Sequence, residues 1–181
     1  TDQEVLGSNP SRRTMKGINE SFIAKISNLF FYNNNPNINN FNYFSMIKKF
    51  NQISNRPGFI KNNGGLLFRK INNNKFEFKT KIKKIHLNRS KKTHGGYICS
   101  IIDAGSGTAA HAVINGNSCV TISLEIKFTA PTKLHDEILG IVEINKKTNS
   151  LVFLRCTLKS KKKIVATASG IWKILNLKFQ G

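Results

Sequence analysis

The chain has 181 residues and a formal net charge of +20 at pH 7, with 29 Lys and Arg against 9 Asp and Glu. This length suits one domain with an extension, and no run of about 18 apolar residues predicts a transmembrane helix. The charge indicates an anionic partner (nucleic acid, a membrane surface or a polyphosphate) or a solvated lysine-rich surface. Because basic residues are spread along the chain and are not interleaved with aromatic ones, no specific nucleic-acid partner is expected.

The three cysteines, Cys99, Cys119 and Cys156, are odd in number, widely spaced and set among apolar residues. They are therefore interpreted as reduced thiols of an intracellular protein, with the cytoplasm and an organelle both open as locations. No CxxC or HxxxH spacing indicates zinc, and no bound metal or redox cofactor is expected.

Residues 1–40 are interpreted as a low-complexity extension, rich in Asn and interrupted by Pro10 and Pro36. The segment from Met15 is basic and amphipathic, which indicates either an organelle-targeting presequence or a helix that docks on the domain. The folded domain is expected over residues 41–175, followed by a C-terminal tail at 176–181.

The domain begins with apolar residues at roughly helical spacing, which predict a helix over residues 41–53. Pro57 and its neighbours end that helix. Strands are predicted over 66–71 and, after an Asn-rich turn, over 76–87. A helix follows over about 94–113, and then strands over 138–146, 151–158 and 164–175. One long helix among antiparallel strands is an α+β order.

The predicted helix of residues 94–113 carries the features most suggestive of chemistry. It opens with His94-Gly95-Gly96, and backbone N–H groups at a helix N-terminus favour developing negative charge. Asp103 has apolar sequence neighbours that predict a largely buried setting, where a carboxylate is costly without a partner or a role. Interior glycines cost about 1 kcal/mol each relative to Ala, so the Gly105-Ser106-Gly107 stretch predicts close packing.

This segment resembles the hotdog-fold acyl-CoA thioesterases of the phenylacetate-degradation type. The resemblance consists of His-Gly-Gly, Asp103 nine residues after His94 and Asn88 six residues before it. It extends over residues 58–175, through the strand at 120–131, the turn at 134–137 and the closing strand at 164–172. One departure is Lys91, where the family usually has Gly. The resemblance implies a curved antiparallel sheet wrapped around a central helix.

The resemblance also implies an acyl-CoA thioesterase that works as a homodimer or a dimer of dimers. Asp103 would activate water as a general base or attack as a nucleophile, with Thr121 helping to hold the water. Gly95 N–H and Asn88 would stabilise the oxyanion, and His94 would position the loop. The site would lie between subunits, with Asn88, His94 and Gly95 from one chain and Asp103 and Thr121 from the other.

Further residues are expected to contact the acyl-CoA substrate. They are Gly96, Ile98 and Ile102 beside the acyl group and, as contacts for the CoA phosphates, Lys91, Lys92, Lys161 and Lys162, with Lys163 in the same turn. Three rival functions remain open: a non-catalytic module of the same fold that binds an acyl thioester, a dehydratase, and a basic nucleic-acid-binding protein. The other histidines, His86, His111 and His135, are expected to be exposed or satisfied structural residues.

Overall fold

The computed structural model describes residues 49–53 and 57–178. The strands are β1 (Asn51–Ile53), β2 (Leu66–Lys70), β3 (Lys75–Lys81), β4 (Asn117–Phe128), β5 (Glu137–Lys147), β6 (Leu151–Ser160) and β7 (Lys163–Lys178). The helices are α1 (Phe59–Asn62), a short 3₁₀ helix (Lys84–His86) and α2 (Gly95–His111). Among these described residues, no helix is long and apolar enough to cross a membrane.

The seven strands form one antiparallel sheet in the order β1-β2-β3-β5-β6-β7-β4. Helix α2 separates β3 from β4 in the chain, and β4 lies at the far edge of the sheet beside β7. Because α2 contacts every strand from β2 to β7, the sheet must curve around it. The predicted α+β hotdog fold, with its central helix, is therefore confirmed.

Helix α2 lies at the centre because one of its faces is apolar and small. That face carries the buried residues Tyr97, Ile98, Ile101, Ile102, Gly105, Ser106, Ala109 and Ala110, which recur at helical spacing. A Cβ atom added at Gly105 would overlap the ring of Phe78 on β3, as would one added at Gly140 on β5. Close packing is thus confirmed at Gly105. At Gly107 the nearest atom to an added Cβ would be Trp172 Nε1 at 3.4 Å, an ordinary contact.

The predicted N-terminal extension, residues 1–40, lies outside the described residues, as do residues 41–48 of the predicted helix. The end of that helix prediction is wrong, because Asn51–Ile53 forms β1 and pairs with β2. Phe50 packs under the guanidinium of Arg69, 4.3 Å from ring centroid to Cζ. Strand pairing and this contact outweigh a weak helical pattern. The short helix α1 was not predicted.

The strand predicted over residues 76–87 ends earlier than expected, at Lys81. Ile82 is buried, and its N–H donates to the Asp136 carbonyl at 2.9 Å. The chain then turns into the 3₁₀ helix, where Ile85 is 66% exposed and His86 is only 2% exposed. The alternation of apolar residues in the sequence continues past Lys81, where the pairing of β3 with its neighbours stops. In the turn that follows, His86 is buried and Ile85 is exposed, which is the reverse of what the sequence pattern predicts.

Strand β4 contains a β-bulge between Thr121 and Ser123. Strict alternation would place Ile122 on the face toward the helix and Thr121 on the opposite face. The bulge instead sets Thr121 opposite the buried Trp172, on the helix-facing side, and leaves Ile122 56% exposed. The irregularity therefore decides which side chains of β4 face α2.

Candidate active site

The loop that precedes α2 is fixed along both of its sides. A β-bridge joins Leu87 to Thr93, and the His94 N–H donates to the His86 carbonyl at 2.8 Å. Thr93 N–H donates to the Thr132 carbonyl at 2.9 Å, and the Thr132 hydroxyl donates to Thr93 Oγ1 at 2.7 Å. These contacts fix the position at which α2 begins.

His94 is the N-cap of α2, in an extended conformation with φ −64° and ψ 134°. Its Nδ1 accepts the Gly96 N–H at 2.9 Å, and its carbonyl accepts the Tyr97 N–H at 3.0 Å. A Cβ at Gly96 would lie 3.0 Å from His94 Nδ1, so a larger residue there would require the His94 ring to shift. Gly95 N–H makes no hydrogen bond with the described residues. The cap thus leaves one helix-terminal donor available.

Asn88 opens a tight turn in this loop. Its Oδ1 accepts the Lys92 N–H at 3.1 Å, while its own N–H donates to the Lys92 carbonyl at 2.8 Å. Lys91 completes the turn with φ 56°, a left-handed conformation that costs an L-residue roughly 1–2 kcal/mol. This is the position at which a Gly was expected from the resemblance. The loop keeps its turn, and Lys91 adopts a conformation that glycine would accept without strain.

The Gly95 amide borders a cavity of ≈ 360 Å³. Its walls include Asn88, Ile98, Phe128 and Val165. A second cavity of ≈ 540 Å³ shares the wall formed by Lys92, Ala130, Pro131, Thr132 and Val165. A mostly apolar cavity at the helix start therefore adjoins a second, larger cavity.

The second cavity is rich in lysine. It is lined by Lys92, Lys133, Lys161, Lys162 and Lys163, with Asp136 among them. Four of the five lysines predicted to contact the CoA phosphates thus line one cavity, whereas Lys91 lines neither of the two cavities. Sequence reasoning missed Lys133, because its place beside the β6–β7 turn depends on the fold.

Asp136 organises one side of this cavity. Its carboxylate accepts the Lys133 N–H at 3.0 Å and lies 3.4 Å from Lys161 Nζ. The Lys133 hydrogen bond is the main cause that holds the pKa of Asp136 below its usual value, and the Lys161 ammonium adds to it. Lys161 is therefore held at the cavity by an ion pair, although its side chain is largely exposed.

Asp103 and Thr121 are also brought together, at a different place on the surface. The Thr121 hydroxyl donates to Asp103 Oδ1 at 2.7 Å. The expectation that Asp103 is largely buried is wrong for the single chain, in which it is exposed. Successive helical residues are turned by about 100°, so the buried Ile101 and Ile102 place Asp103 on the opposite face of α2.

The two groups are separated along the helix. Asp103 is eight residues beyond Gly95, which corresponds to about 12 Å along the helix axis at 1.5 Å per residue. No single carbonyl group can lie within hydrogen-bond distance of both in one chain. Within one chain the structure thus contains two separate half-sites: the Gly95 half-site, comprising Asn88, His94 and Gly95, and the Asp103 half-site, comprising Asp103 and Thr121.

The residues predicted beside the acyl group are distributed differently. Ile98 lines the cavity next to Gly95. Gly96 lies on the other side of the helix start, in a cavity bordered by the exposed Phe59. Ile102 is fully buried in the core. Phe128, which packs 3.7 Å from where a Gly95 Cβ would stand, was not predicted as a site residue.

Comparisons with known proteins found one matching family model and several solved structures of similar fold. Residues 91–167 match the family model of the thioesterase superfamily. No curated protein matches the sequence significantly.

Several solved structures share the fold. Zebrafish thioesterase superfamily member 2 aligns with a TM-score of 0.61 at 22% identity, covering 67% of this chain and 89% of that one. The Escherichia coli PaaI protein of the phenylacetic acid degradation operon aligns at 0.60 and 17% identity, covering 65% and 84%. A hypothetical thioesterase from Streptococcus pneumoniae, solved with coenzyme A, aligns at 0.59 and 19% identity, covering 64% and 93%. The resemblance of this chain to the hotdog-fold thioesterases, first seen around His94 and Asp103, is therefore confirmed.

Proposed function

We propose that this protein hydrolyses acyl-CoA thioesters at a site shared by two copies of the chain. The observation that carries the proposal is the Gly95 N–H, which makes no hydrogen bond with the described residues and borders a cavity at the start of α2. An unpaired amide at a helix N-terminus is suited to stabilising an oxyanion. Asn88 supplies a second donor, the Nδ2 of its side-chain amide, because that amide uses only its Oδ1 in the loop turn.

The second copy follows from the distance along α2. Because about 12 Å of helix separates Gly95 from Asp103, each half-site needs a complementary half-site from elsewhere. A two-fold dimer supplies it, since the Gly95 of one chain then faces the Asp103 of the other in each of two identical sites.

Strand β4 is the surface that best fits such a partner. It runs for 12 residues at the edge of the sheet and pairs on one side with β7. Val120, Ile122 and Phe128 on this strand are 47%, 56% and 57% exposed. A long edge strand with exposed apolar side chains is a template for pairing with another chain. Asp103 is hydrogen-bonded to Thr121 of this strand and therefore lies where the partner would arrive.

The proposed reaction uses these groups in sequence. Asp103 takes a proton from water as the water oxygen bonds to the thioester carbonyl carbon, and Thr121 orients the carboxylate. The carbonyl oxygen becomes an oxyanion that accepts hydrogen bonds from Gly95 N–H and Asn88 of the partner chain. Collapse breaks the C–S bond, and Asp103 returns its proton to the leaving thiolate, which yields a carboxylic acid and free CoA. In the alternative, an Asp103 carboxylate oxygen attacks the carbonyl carbon, and the C–S bond breaks to expel the CoA thiolate. Water then hydrolyses the mixed anhydride, which frees Asp103, releases the carboxylic acid and supplies the proton of the CoA thiol.

The lysine-rich cavity supports CoA as the leaving group. It adjoins the Gly95 cavity, so an extended thiol arm could pass from one to the other while its phosphates meet Lys92, Lys161 and Lys162. Replacing Lys92 and Lys162 together by Gln should raise KM for acyl-CoA more than it lowers kcat, because the phosphates are remote from the reacting bond. The matched control replaces Lys146 and Lys147, exposed residues at the end of β5, by Gln. Equal changes in KM in the two double variants would show that the lysines of the cavity act only as part of the general surface charge.

The test of the shared site is complementation between two inactive chains. One chain carries Asp103→Asn and the other Gly95→Pro, and thiol release is measured from short, medium and long acyl-CoA substrates. Random mixing should restore about a quarter of the wild-type activity, because half of the dimers are mixed and each has one intact site. No restoration in a verified mixed dimer would place both groups in one chain's site. If the wild-type protein binds acyl-CoA without releasing thiol, the protein is the non-catalytic binding module instead.

A further inference from the structure

His86 is a buried polar residue that the proposed reaction does not use. It is 2% exposed, and its ring is stacked on Tyr97 with 3.7 Å between the ring centroids and an angle of 12°. Its Nδ1 accepts the Lys83 N–H at 3.0 Å, and its Nε2 lies 2.9 Å from the Asn63 carbonyl. Because a carbonyl can only accept, Nε2 carries the proton and Nδ1 does not. These contacts fix both the tautomer and the plane of the ring.

The ring joins segments that are distant in sequence. Asn63 follows α1, Lys83 precedes the 3₁₀ helix, and Tyr97 belongs to the first turn of α2. The Tyr97 hydroxyl lies 3.2 Å from Thr80 Oγ1 on β3 and 3.5 Å from the Asn63 carbonyl, so the stacked partner is itself anchored. The His86 ring is therefore the centre of a cluster that holds α1, the 3₁₀ helix and α2 together.

The backbone of the same residue carries the start of α2. The His86 carbonyl accepts the His94 N–H at 2.8 Å, and His94 is the cap that orients the first helix residues. A rotation of His94 would turn the Gly95 N–H, since the two share a peptide unit. Anything that fixes His86 therefore also fixes the direction of that amide.

We propose that His86 is a positioning residue of the Gly95 half-site: its neutral, doubly hydrogen-bonded ring holds the carbonyl that aligns His94 and, through it, the Gly95 amide. The catalytic consequence rests on the proposed hydrolysis, whereas the structural consequence does not. Misplacing a catalytic group by about 1 Å can cost on the order of 100-fold in rate.

Ionisation of the ring should release this arrangement. A proton on Nδ1 would oppose the Lys83 N–H, and two donors cannot pair. Burial is the main cause that lowers the pKa of His86 below 6.5; the Asn63 hydrogen bond opposes this, and the Lys83 charge adds to it. The titratable groups around the ring are Lys83, on the adjoining turn, His94, at the N-cap of α2, and Tyr97, in the first turn of α2. The neutral ring therefore predominates above pH 6.5, and its stabilisation is lost as the pH falls through the lowered pKa.

Two variants separate the ring's hydrogen bonds from its packing. His86→Phe keeps an aromatic ring against Tyr97 but removes both hydrogen bonds, and His86→Gln can still donate to the Asn63 carbonyl. His86→Phe should lower kcat about 10- to 100-fold with KM within about twofold, and His86→Gln should recover part of the loss. The matched control is His135→Gln, at an exposed position outside both half-sites. Unchanged kcat in His86→Phe would overturn the proposal.

A measurement on the unmodified protein keeps the inference independent of activity and of the folding of any variant. The amide shifts of Gly95 and Gly96 are followed by NMR while the ring shifts of His86 report its titration. The amide shifts should change with the same midpoint as the His86 ring. If the amide shifts do not change as the pH passes through that midpoint, the positioning role is refuted. Absent thiol release with coupled amide shifts would instead refute the proposed hydrolysis and retain the positioning role.

Discussion

The Gly95 half-site and the Asp103 half-site lie on one helix but differ in how completely one chain forms them. Around Gly95, the loop is fixed by the Leu87–Thr93 bridge, by the His94 cap and by hydrogen bonds to Thr132. Around Asp103, the described residues contribute one hydrogen bond, from Thr121, and the carboxylate is exposed. The geometry of the Gly95 half-site is therefore fixed within the single chain.

This difference indicates which half-site one chain forms by itself and which half-site depends on the proposed dimer. A preorganised donor needs no reorganisation when charge develops, which is where most electrostatic catalysis originates. In the proposed dimer, the exposed Asp103 carboxylate would lose its solvation when the second chain covers it, and this desolvation would strengthen every electrostatic interaction in the site. The folded monomer and the dimer should accordingly differ far more at Asp103 than at Gly95.

The largest effect is expected at the exposed half-site. Asp103→Asn should lower kcat by about 10²–10⁴-fold, because it preserves shape and removes the proton acceptor. Glu143→Gln is the matched control, since Glu143 is an exposed carboxylate that pairs with Lys75 on a strand outside both half-sites and outside β4. Both are measured as thiol release from acyl-CoA. Full activity in Asp103→Asn would show that Asp103 takes no part in the catalysis.

The next effect concerns the fixed half-site. Gly95→Pro deletes one N–H at the first position of α2, where proline is well tolerated, and His94 already has the extended conformation that precedes proline. It should lower kcat about 10²–10³-fold while the melting temperature changes little. Gly95→Ala retains the N–H, and its Cβ would meet Phe128 at 3.7 Å without a clash. Similar kcat values for the two variants would show that the amide does not act in the reaction.

The two faces of α2 should respond differently to added volume. Gly105→Ala should lower the free energy of unfolding by about 1–3 kcal/mol, since the new methyl group overlaps the Phe78 ring. Gly107→Ala should be neutral or stabilise by up to about 1 kcal/mol, because helix propensity rises and no clash arises. Urea unfolding of both variants measures the contrast. Equal losses would mean that the face toward Asp103 is packed as tightly as the core.

The smallest effect tests the strain in the fixed loop. Lys91→Gly should raise the free energy of unfolding by about 0.5–1 kcal/mol, because relief of the left-handed strain exceeds the entropy that glycine adds to the unfolded chain. Lys92→Gly, at the next position and without a positive φ, should destabilise instead. Thermal or urea unfolding distinguishes the two signs. A loss in Lys91→Gly would show that the side chain contributes more than its backbone conformation costs.

Local sequence patterns predicted the parts of the fold whose pairing partners lie nearby. Strands β5 to β7 and helix α2 follow from periodicity, and the polar turn at residues 147–150 separates β5 from β6. Strand β1 and the 3₁₀ helix were missed because distant contacts form them: Ile53 pairs with Leu66, and the buried His86 meets Asn63 and Tyr97. A histidine among apolar and basic residues gives no sign in sequence that its carbonyl holds a helix cap.

The candidate site shows the same limit. Asn88, His94 and Gly95 could be grouped from sequence because they share one short loop. The proximity of Lys133 to Lys161 could not, since it depends on how β4 leads into β5 and how β6 returns to β7. The exposure of Asp103 was mispredicted because sequence neighbours were taken as spatial neighbours, which a helix does not allow.

The bulge in β4 absorbs one residue, so the strand can lose that residue without turning its side chains over. Deleting Ile122 would restore simple alternation, and Thr121 would still lie opposite Trp172 on the helix-facing side, beside Asp103. The deletion would also remove an apolar side chain that is 56% exposed on the strand proposed to meet a second chain. A one-residue deletion at the bulge would therefore alter the proposed subunit contact and spare the contact of Thr121 with Asp103, whereas the same deletion in a regular part of the strand would move side chains from one face to the other.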